Sequence, residues 1–187
     1  MAHEVARRLV HASGAIVPLS WAFDVLAWPQ VRILLIAGSI LALALEFARI
    51  VIGVEWIVYD VLTREYEENN LAGYALYVLG GSIAGLLFRP EIAVPAMLML
   101  TIGDPVSGLL GSDELRTVKR PHVLATMFVV SLALAWSFLP PVPAGAAALA
   151  ATLADGVKPV VATYVVDDNL SIPLVASGAA WMALAAV

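Results

Sequence analysis

The segment best suited to chemistry runs from Gly103 to Gly111 and reads Gly-Asp-Pro-Val-Ser-Gly-Leu-Leu-Gly. Glycines such as Gly103 and Gly108 let the backbone approach a ligand closely. Asp104 offers a hard oxygen ligand of the kind that Mg²⁺ prefers. A basic cluster that suits phosphate follows in the chain; it comprises Arg116, Lys119 and Arg120. The pattern indicates either a metal and phosphate site or a turn followed by cations that reach to the membrane surface.

A second polar segment consists of Asp167, Asp168 and Asn169. Two adjacent carboxylates repel each other unless a cation or a proton separates them. With the neighbouring amide, they are candidates for a divalent-metal or polar-substrate site. The alternative is a solvated helix cap, with Asp168 or Asn169 starting the last helix.

Two further groups of charged residues lie near the ends of apolar stretches. Arg7 or Arg8 shares a helical face with His11, because residues three or four positions apart are neighbours on a helix. That face either binds a phosphate or anchors the first helix to anionic headgroups. The acidic run 65–68 is typical of a solvated surface, with one of its carboxylates as a further catalytic candidate.

Ionisable residues also fall within the apolar stretches, where they are costly and either pair or serve a function. Asp155 and Lys158 are three positions apart, as are Glu46 and Arg49, so each couple is predicted to form an ion pair. Asp24 is expected near a membrane interface.

The composition is that of an integral membrane protein of one domain. Of the 187 residues, 61% are hydrophobic and 13% are charged, and the mean hydropathy is +0.92. Soluble domains are about 45–50% apolar and about 25% charged. The lack of cysteine excludes disulfides and thiolate metal sites. A net charge of −5 argues against nucleic acid as a partner, since its binding requires a basic surface.

Seven apolar stretches predict an all-α, polytopic transmembrane bundle that covers residues 1–187. Each stretch is expected to be helical, because in lipid every backbone polar group must be satisfied internally. The predicted spans are 13–28, 31–52, 72–88, 91–108, 122–139, 144–165 and 170–187. Three prolines between residues 140 and 143 separate the fifth span from the sixth. Gly156 and Pro159 are expected to bend the sixth span near Asp155.

Basic residues are concentrated on one side of this layout. The N-terminus and the connections after the second, fourth and sixth spans share a side. Seven basic residues lie on that side or at its edge: Arg7, Arg8, Arg49, Arg64, Arg116, Lys119 and Arg120. The other side has only Arg32 and Arg89. By the positive-inside rule, the crowded side is cytoplasmic, so the active face of a cell-membrane protein is predicted there.

The ordered set of polar motifs resembles the polyprenol kinase family, which includes dolichol kinase and the CTP-dependent diacylglycerol and phytol kinases. The resemblance covers nearly the whole chain, and its parts are listed here in chain order. They are Arg-Arg-x-x-His at Arg7–His11, the stretch from Glu68 through Gly73 to Gly81, Gly103-Asp104 with Gly108 and Gly111, Lys119, and Asp168-Asn169-Leu170 with Ile172-Pro173. The chain departs from the family at Ser112-Asp113-Glu114 and Arg120-Pro121-His122, and Asp155 stands in for a glutamate.

The resemblance implies a membrane enzyme that transfers the γ-phosphate of CTP, or another nucleoside triphosphate, to a lipid alcohol in the presence of Mg²⁺. It implies that Asp104 and Asp168, with Asp167, hold the metal. Lys119, Arg120 and Arg8 would bind the triphosphate, near Gly103 and Gly108, and Asn169 would orient the metal or a phosphate. Asp168 or Asp155 would accept the proton of the lipid hydroxyl.

Two other functions are compatible with the sequence. A CTP-dependent lipid-phosphate cytidylyltransferase also requires Mg²⁺, CTP and a bilayer, but it releases pyrophosphate and forms a CDP-lipid. A non-enzymatic carrier would use Glu46, Asp155 and Lys158 as a polar pathway. The short, sparsely charged connections of the other side argue against a carrier, which needs polar residues that reach both faces.

Overall fold

The computed structural model describes residues 9–57, 59, 63, 67, 70–111, 118–157, 160–161 and 164–186. Over these residues the fold is helical apart from one very short hairpin, so the predicted all-α class is confirmed. Within the described ranges there are seven helices. They are α1 (Leu9–Ala22), α2 (Trp28–Ile52), α3 (Gly73–Leu87), α4 (Pro90–Leu109), α5 (Pro121–Trp136), α6 (Pro141–Gly156) and α7 (Asp168–Ala185).

The first helix is displaced from its predicted range, 13–28, because the chain turns sharply after Ala22. Asp24 adopts a left-handed backbone conformation with φ 57°. The amides of Val25 and Leu26 both donate to the carbonyl of Ser20. This pattern satisfies a carbonyl that the helix end would otherwise leave without a partner, and aspartate tolerates the left-handed conformation better than most residues.

The sixth helix is shorter than predicted, and the prediction of helix from 144 to 165 is wrong at its C-terminal end. Helix α6 ends at Gly156, and an antiparallel hairpin of β1 (Val160–Val161) and β2 (Tyr164–Val165) follows. Val157 instead pairs with Val118 in an antiparallel bridge. Glycine is a poor helix former, and Pro159 follows in the sequence, so the local residues favour this termination.

Two helices are long and apolar enough to cross a membrane by length and composition, α2 with 25 residues and α4 with 20. In the apolar 18-residue stretch of α4, 72% of the residues are buried within the protein, whereas in that of α2 only 17% are buried. Thus α4 is a central helix and α2 a peripheral one. Helices α1, α3 and α5 are apolar but shorter. The prediction of seven spans is therefore supported only in part.

Helix α4 is central because it contributes to two hydrophobic cores. One core joins α4 to α5, α6 and α7 through residues such as Met99, Met127 and Ile172. The other joins α4 to α1 and α2 through residues such as Met97 and Val31. Helix α7 packs mainly against α6 and α3. The helices are joined at one end by the brief connections 23–27, 88–89 and 137–140.

The opposite end, which we call the site end, receives the C-termini of α2, α4 and α6 and the N-termini of α1, α3, α5 and α7. Glycine allows α3 to approach α7 closely there. A Cβ on Gly80 would lie only 2.5 Å from the carbonyl oxygen of Asn169 and 3.0 Å from the Cα of Leu170. Any larger residue would push the first turn of α7 away from α3. Gly80 therefore fixes the position of the polar residues that begin α7.

Candidate metal and phosphate site

Three carboxylates from different helices meet at the site end. Asp104 comes from α4, Asp155 from the last turn of α6 and Asp168 from the first position of α7. One carboxylate oxygen from each lies within 4.8 Å of the others. Asp155 and Asp168 are buried, and Asp104 is partly accessible. The proximity expected of Asp104 and Asp168 is thus observed, although 64 residues separate them in sequence.

Lys119 provides the positive charge in this cluster. Its Nζ donates to Asp155 Oδ1 at 2.6 Å and lies 3.8 Å from Asp104 Oδ1. Asp155 Oδ2 also accepts a hydrogen bond from the hydroxyl of Ser107, at 3.2 Å. The observed partner of Asp155 is therefore Lys119. The pairing predicted with Lys158 concerns a residue outside the described part of the chain.

A backbone contact explains why Lys119 reaches Asp155. The amide of Lys119 donates to the carbonyl of Gly156 at 3.0 Å, next to the bridge between Val118 and Val157. This strand-like pairing aligns the segment before α5 with the end of α6. It occurs because α6 stops at Gly156, so the early end of that helix also shapes the site.

The backbone before Asp104 is a π-helix from Met99 to Gly103. Short π-helical segments occur often at functional sites, since the wider turn re-aims the residues that follow. His11 contacts this segment through its Nε2, which lies 3.0 Å from the carbonyl oxygen of Leu100 and 3.8 Å from Asp104 Oδ2. The His11 carbonyl accepts a hydrogen bond from the Tyr77 hydroxyl at 2.8 Å. Helix α1 is thereby tied to both α3 and α4 beside the carboxylates.

The three polar residues at the start of α7 have different environments. Asp167 is the N-cap, and its Oδ1 accepts the Asn169 amide at 2.9 Å, as expected for the capping alternative. Asp167 is not part of the three-carboxylate cluster, which contains Asp168. Asn169 is buried, and within the described ranges its Oδ1 has no hydrogen-bond partner. A buried acceptor without a partner is uncommon and is consistent with a ligand site.

The sequence grouped Gly103, Gly108 and Arg120 as candidates for phosphate binding, but their surroundings in the structure differ. Gly103 is buried against α5, where an added Cβ would lie 3.2 Å from Met127 Sδ, so its small size serves helix packing. Gly108 lies within α4, and its carbonyl accepts the Gly111 amide at 3.2 Å. Arg120 is exposed at the N-cap of α5, next to Lys119. Arg8, predicted to bind phosphate, lies outside the described residues, as do Glu68 and Arg116.

A second buried polar group stabilises the neighbouring corner of the site end. The Glu46 carboxylate accepts hydrogen bonds from Arg49 Nη2 at 2.7 Å, Tyr74 at 2.5 Å and the Ala72 amide at 3.0 Å. Arg49 also donates to the carbonyl of Asn70 at 2.6 Å. The ion pair predicted for Glu46 and Arg49 is therefore present, and it fixes the chain that leads into α3.

Two residues of this region were not singled out from the sequence. Ser107 lies one helical turn after Asp104, a spacing that could have identified it as a partner in the site. Glu67 was only one of three candidates in an acidic run. It is buried, and its Oε1 and Asn169 Nδ2 would lie 3.3 Å and 3.2 Å from a Cβ on Gly73. The sequence around Glu67 gives no local signal for this burial.

The arrangement brings hard oxygen ligands and one ammonium group to the end of an apolar bundle. Such a set suits a cation or the phosphates that accompany one.

No known protein family, curated protein or solved structure matches the chain significantly.

Proposed function

We propose that this chain is a membrane lipid kinase that transfers the γ-phosphate of CTP, or another nucleoside triphosphate, to the hydroxyl of a lipid alcohol. The observation that carries the proposal is the convergence of Asp104, Asp155, Asp168 and Lys119 at one end of an apolar helix bundle. Phosphoryl transfer requires mainly positioning and charge neutralisation, which such a group supplies. The ordered motif set of the polyprenol kinases supplies the choice of substrates.

The donor atoms of the cluster fit Mg²⁺. They are carboxylate oxygens from three separate helices, and Mg²⁺ in phosphate-transfer sites is typically held by one or two carboxylates together with substrate phosphates. Asp104 and Asp168 would hold the ion, with the buried Asn169 Oδ1 close by in sequence to complete its surroundings. When bound, Mg²⁺ neutralises charge on the phosphates. Asp167 is better assigned to capping α7.

Asp155 positions Lys119 in this proposal. Both oxygens of Asp155 are engaged, one by Lys119 Nζ and one by the Ser107 hydroxyl. A fully buried carboxylate with two partners is poorly placed to accept a proton from an incoming alcohol. The Lys119 side chain is about a quarter exposed, so its ammonium group can contact a phosphate while it remains paired with Asp155. Arg120 and Arg8 are further phosphate-binding candidates.

In this proposal Asp168 accepts the proton of the lipid hydroxyl. The hydroxyl oxygen attacks the γ-phosphorus, the bond from that phosphorus to the bridging oxygen breaks, and a nucleoside diphosphate leaves. The lipid tail remains among the helices, so the hydroxyl approaches from the apolar side and the triphosphate from the aqueous side. This geometry requires a multi-pass protein with the site end at a membrane surface. The excess of basic residues there favours the cytoplasmic side of the cell membrane.

The test uses purified protein in lipid nanodiscs with Mg²⁺, a panel of lipid alcohols and CTP or ATP. CTP labelled in the γ-phosphate should give labelled lipid phosphate. Asp104→Asn and Asp168→Asn should each reduce the rate by at least about a hundredfold, since each removes a charge that faces the reacting phosphates. Asp24→Asn is the matched control, because Asp24 is exposed in the connection after α1 and asparagine also tolerates its left-handed backbone.

The label distinguishes the alternatives. Transfer of label from the α-phosphate, with release of pyrophosphate, would instead identify a cytidylyltransferase. Full activity of either site variant would reject the metal assignment. Nucleotide-independent movement of a solute across the membrane, without labelled lipid, would replace the enzyme by a carrier.

A further inference from the structure

We infer that His11 is a positioning residue for Asp104 and completes the π-helical turn that aims this carboxylate at the site. The inference rests on the proposed function, in which Asp104 holds the metal ion. The turn runs from Met99 to Gly103, immediately before Asp104, and His11 reaches it from α1. His11 thus acts through the backbone of α4.

The carbonyl of Leu100 lacks both of its usual helical partners. In an α-helix it would accept the amide four positions later, but the Asp104 amide donates instead to the carbonyl of Met99. In a π-helix it would accept the amide five positions later, and that residue is Pro105, which has no N–H. Leu100 is buried, and a buried carbonyl without a hydrogen bond is costly. The turn therefore requires a donor from outside the helix.

His11 is that donor. Its Nε2 lies 3.0 Å from the carbonyl oxygen of Leu100, and because a carbonyl can only accept, Nε2 must carry the proton. The same nitrogen lies 3.8 Å from Asp104 Oδ2, which is beyond hydrogen-bonding distance. The imidazole therefore supports the backbone before the acid and leaves the carboxylate open to a cation.

The direction of the Asp104 side chain depends on its backbone. Its two oxygens face Lys119 Nζ and His11 Nε2, each at 3.8 Å, and neither contact is short enough for a hydrogen bond. The backbone of Asp104, by contrast, is bonded on both sides. Its amide donates to Met99, and its carbonyl accepts the Ser107 hydroxyl at 3.1 Å. A change in the turn would therefore move the carboxylate.

Tyr77 of α3 holds the imidazole in place. Its hydroxyl donates to the His11 carbonyl at 2.8 Å, and its ring packs edge-on against the imidazole, with centroids 4.4 Å apart. Gly14 permits this approach, since a Cβ there would collide with the Tyr77 hydroxyl. The first turns of α1 are thus shaped to keep a donor beside Leu100.

The test measures Mn²⁺ binding, as a probe of the Mg²⁺ site, by electron paramagnetic resonance of the full chain in phosphatidylcholine nanodiscs. His11→Phe keeps an aromatic ring against Tyr77 but removes the donor. It should weaken Mn²⁺ binding by about tenfold or more, as loss of a residue that orients a metal ligand typically does. His11→Gln places an amide donor near the position of Nε2 and should stay within about threefold of the native protein. A role in packing alone predicts the reverse order.

Pro105→Ala supplies the missing N–H from within α4. Combined with His11→Phe, it should restore Mn²⁺ binding to within about threefold of the native protein, because the amide at position 105 can donate to the Leu100 carbonyl in the π-helical pattern. His122→Phe is the matched control. His122 Nε2 also faces a carbonyl, that of Leu110 at 3.3 Å, but His122 is exposed, so this variant should bind Mn²⁺ as the native protein does.

Nitrogen NMR of isotopically labelled histidine gives a readout that does not depend on a metal. The Nε2 of His11, identified by its absence in His11→Gln, should carry a proton. An unprotonated Nε2 would overturn the inference, as would a His11→Phe variant with native Mn²⁺ binding. If Mn²⁺ binding follows the expected order but no labelled lipid phosphate forms, the kinase is rejected and His11 keeps its role. If phosphate transfer occurs and His11→Phe alters neither transfer nor Mn²⁺ binding, the inference alone fails.

Discussion

Replacing Lys119 with methionine removes the ammonium group that pairs with the carboxylate cluster while keeping a long apolar stem. In the native protein its Nζ lies 2.6 Å from Asp155 and 3.8 Å from Asp104. The variant leaves three carboxylates with oxygens within 4.8 Å of one another and without this cation. We therefore expect the variant to be less stable even in the absence of any substrate.

The magnitude follows from the burial of the two partners. Removing one partner of a buried ion pair typically costs about 3–5 kcal/mol. Asp155 is fully buried but the Lys119 side chain is 24% exposed, so water screens part of the interaction, and the lower limit of about 3 kcal/mol applies. For a chain of 187 residues this corresponds to a decrease in Tm of about 6–12 °C.

The assay is thermal unfolding in detergent, followed by tryptophan fluorescence. Lys119→Met should have a lower Tm than the native protein, and the double variant with Asp155→Asn should recover about half of the loss, because the unpaired buried charge is gone. Millimolar Mg²⁺ should raise the Tm of Lys119→Met more than that of the native protein, since the ammonium no longer competes for the carboxylates. Arg89→Met, at an exposed arginine of the opposite end, is the control.

An unchanged Tm for Lys119→Met would refute this reasoning. It would mean that the carboxylates are not charged together in the native protein, or that the pair with Asp155 contributes no net stability. A decrease equal to that of Arg89→Met would have the same meaning. A decrease that neither Asp155→Asn nor Mg²⁺ reverses would point to lost packing of the lysine stem.

Two other predictions concern the positions of the helices. Glu46→Gln should lower the free energy of unfolding by about 3 kcal/mol, because the largely buried Arg49 guanidinium, 10% exposed, loses the charge of the Glu46 carboxylate beside it. Glu91→Gln, at an exposed glutamate of α4, should change it little in the same thermal assay. Gly80→Ala should destabilise by about 1–3 kcal/mol and reduce any lipid-dependent turnover, because the new Cβ collides with the α7 backbone. Gly145→Ala, where an added Cβ meets nothing within 4 Å, should be neutral or slightly stabilising, and a Gly80→Ala variant that matches it would contradict the proposed role of Gly80.

The helical content was predictable from the apolar stretches, since hydrophobic runs of that length specify helices in lipid. Boundaries were less predictable where local chemistry overrides hydropathy. In the sequence, Asp24 is a single polar residue within an apolar run. Its left-handed backbone conformation nevertheless accompanies the end of α1 at Ala22, two residues before it. Residues 157–165 are mostly apolar and β-branched. Their composition is therefore compatible both with a membrane span and with the short hairpin observed.

The site was predictable in its components but not in its pairing. Asp104, Asp168 and Lys119 stood out because charge in or beside apolar sequence is costly. The partner of Asp155 was not predictable, because Lys158 is nearer in sequence and Lys119 reaches it only through the pairing of Val118 with Val157. Asp167 and Asp168 are equivalent in sequence, and only the helix start separates the capping residue from the one in the cluster.

The brevity of three helices has a consequence for the surrounding lipid. Helices α3, α5 and α6 contain 15, 16 and 16 residues, which correspond to about 22–24 Å, whereas a hydrocarbon core is about 30 Å thick. In the multi-pass arrangement proposed above, such hydrophobic mismatch would be relieved by local thinning of the bilayer. The thinned bilayer would lower the headgroup plane toward Asp104, so the proposed lipid alcohol could present its hydroxyl to the acids without rising out of its own leaflet.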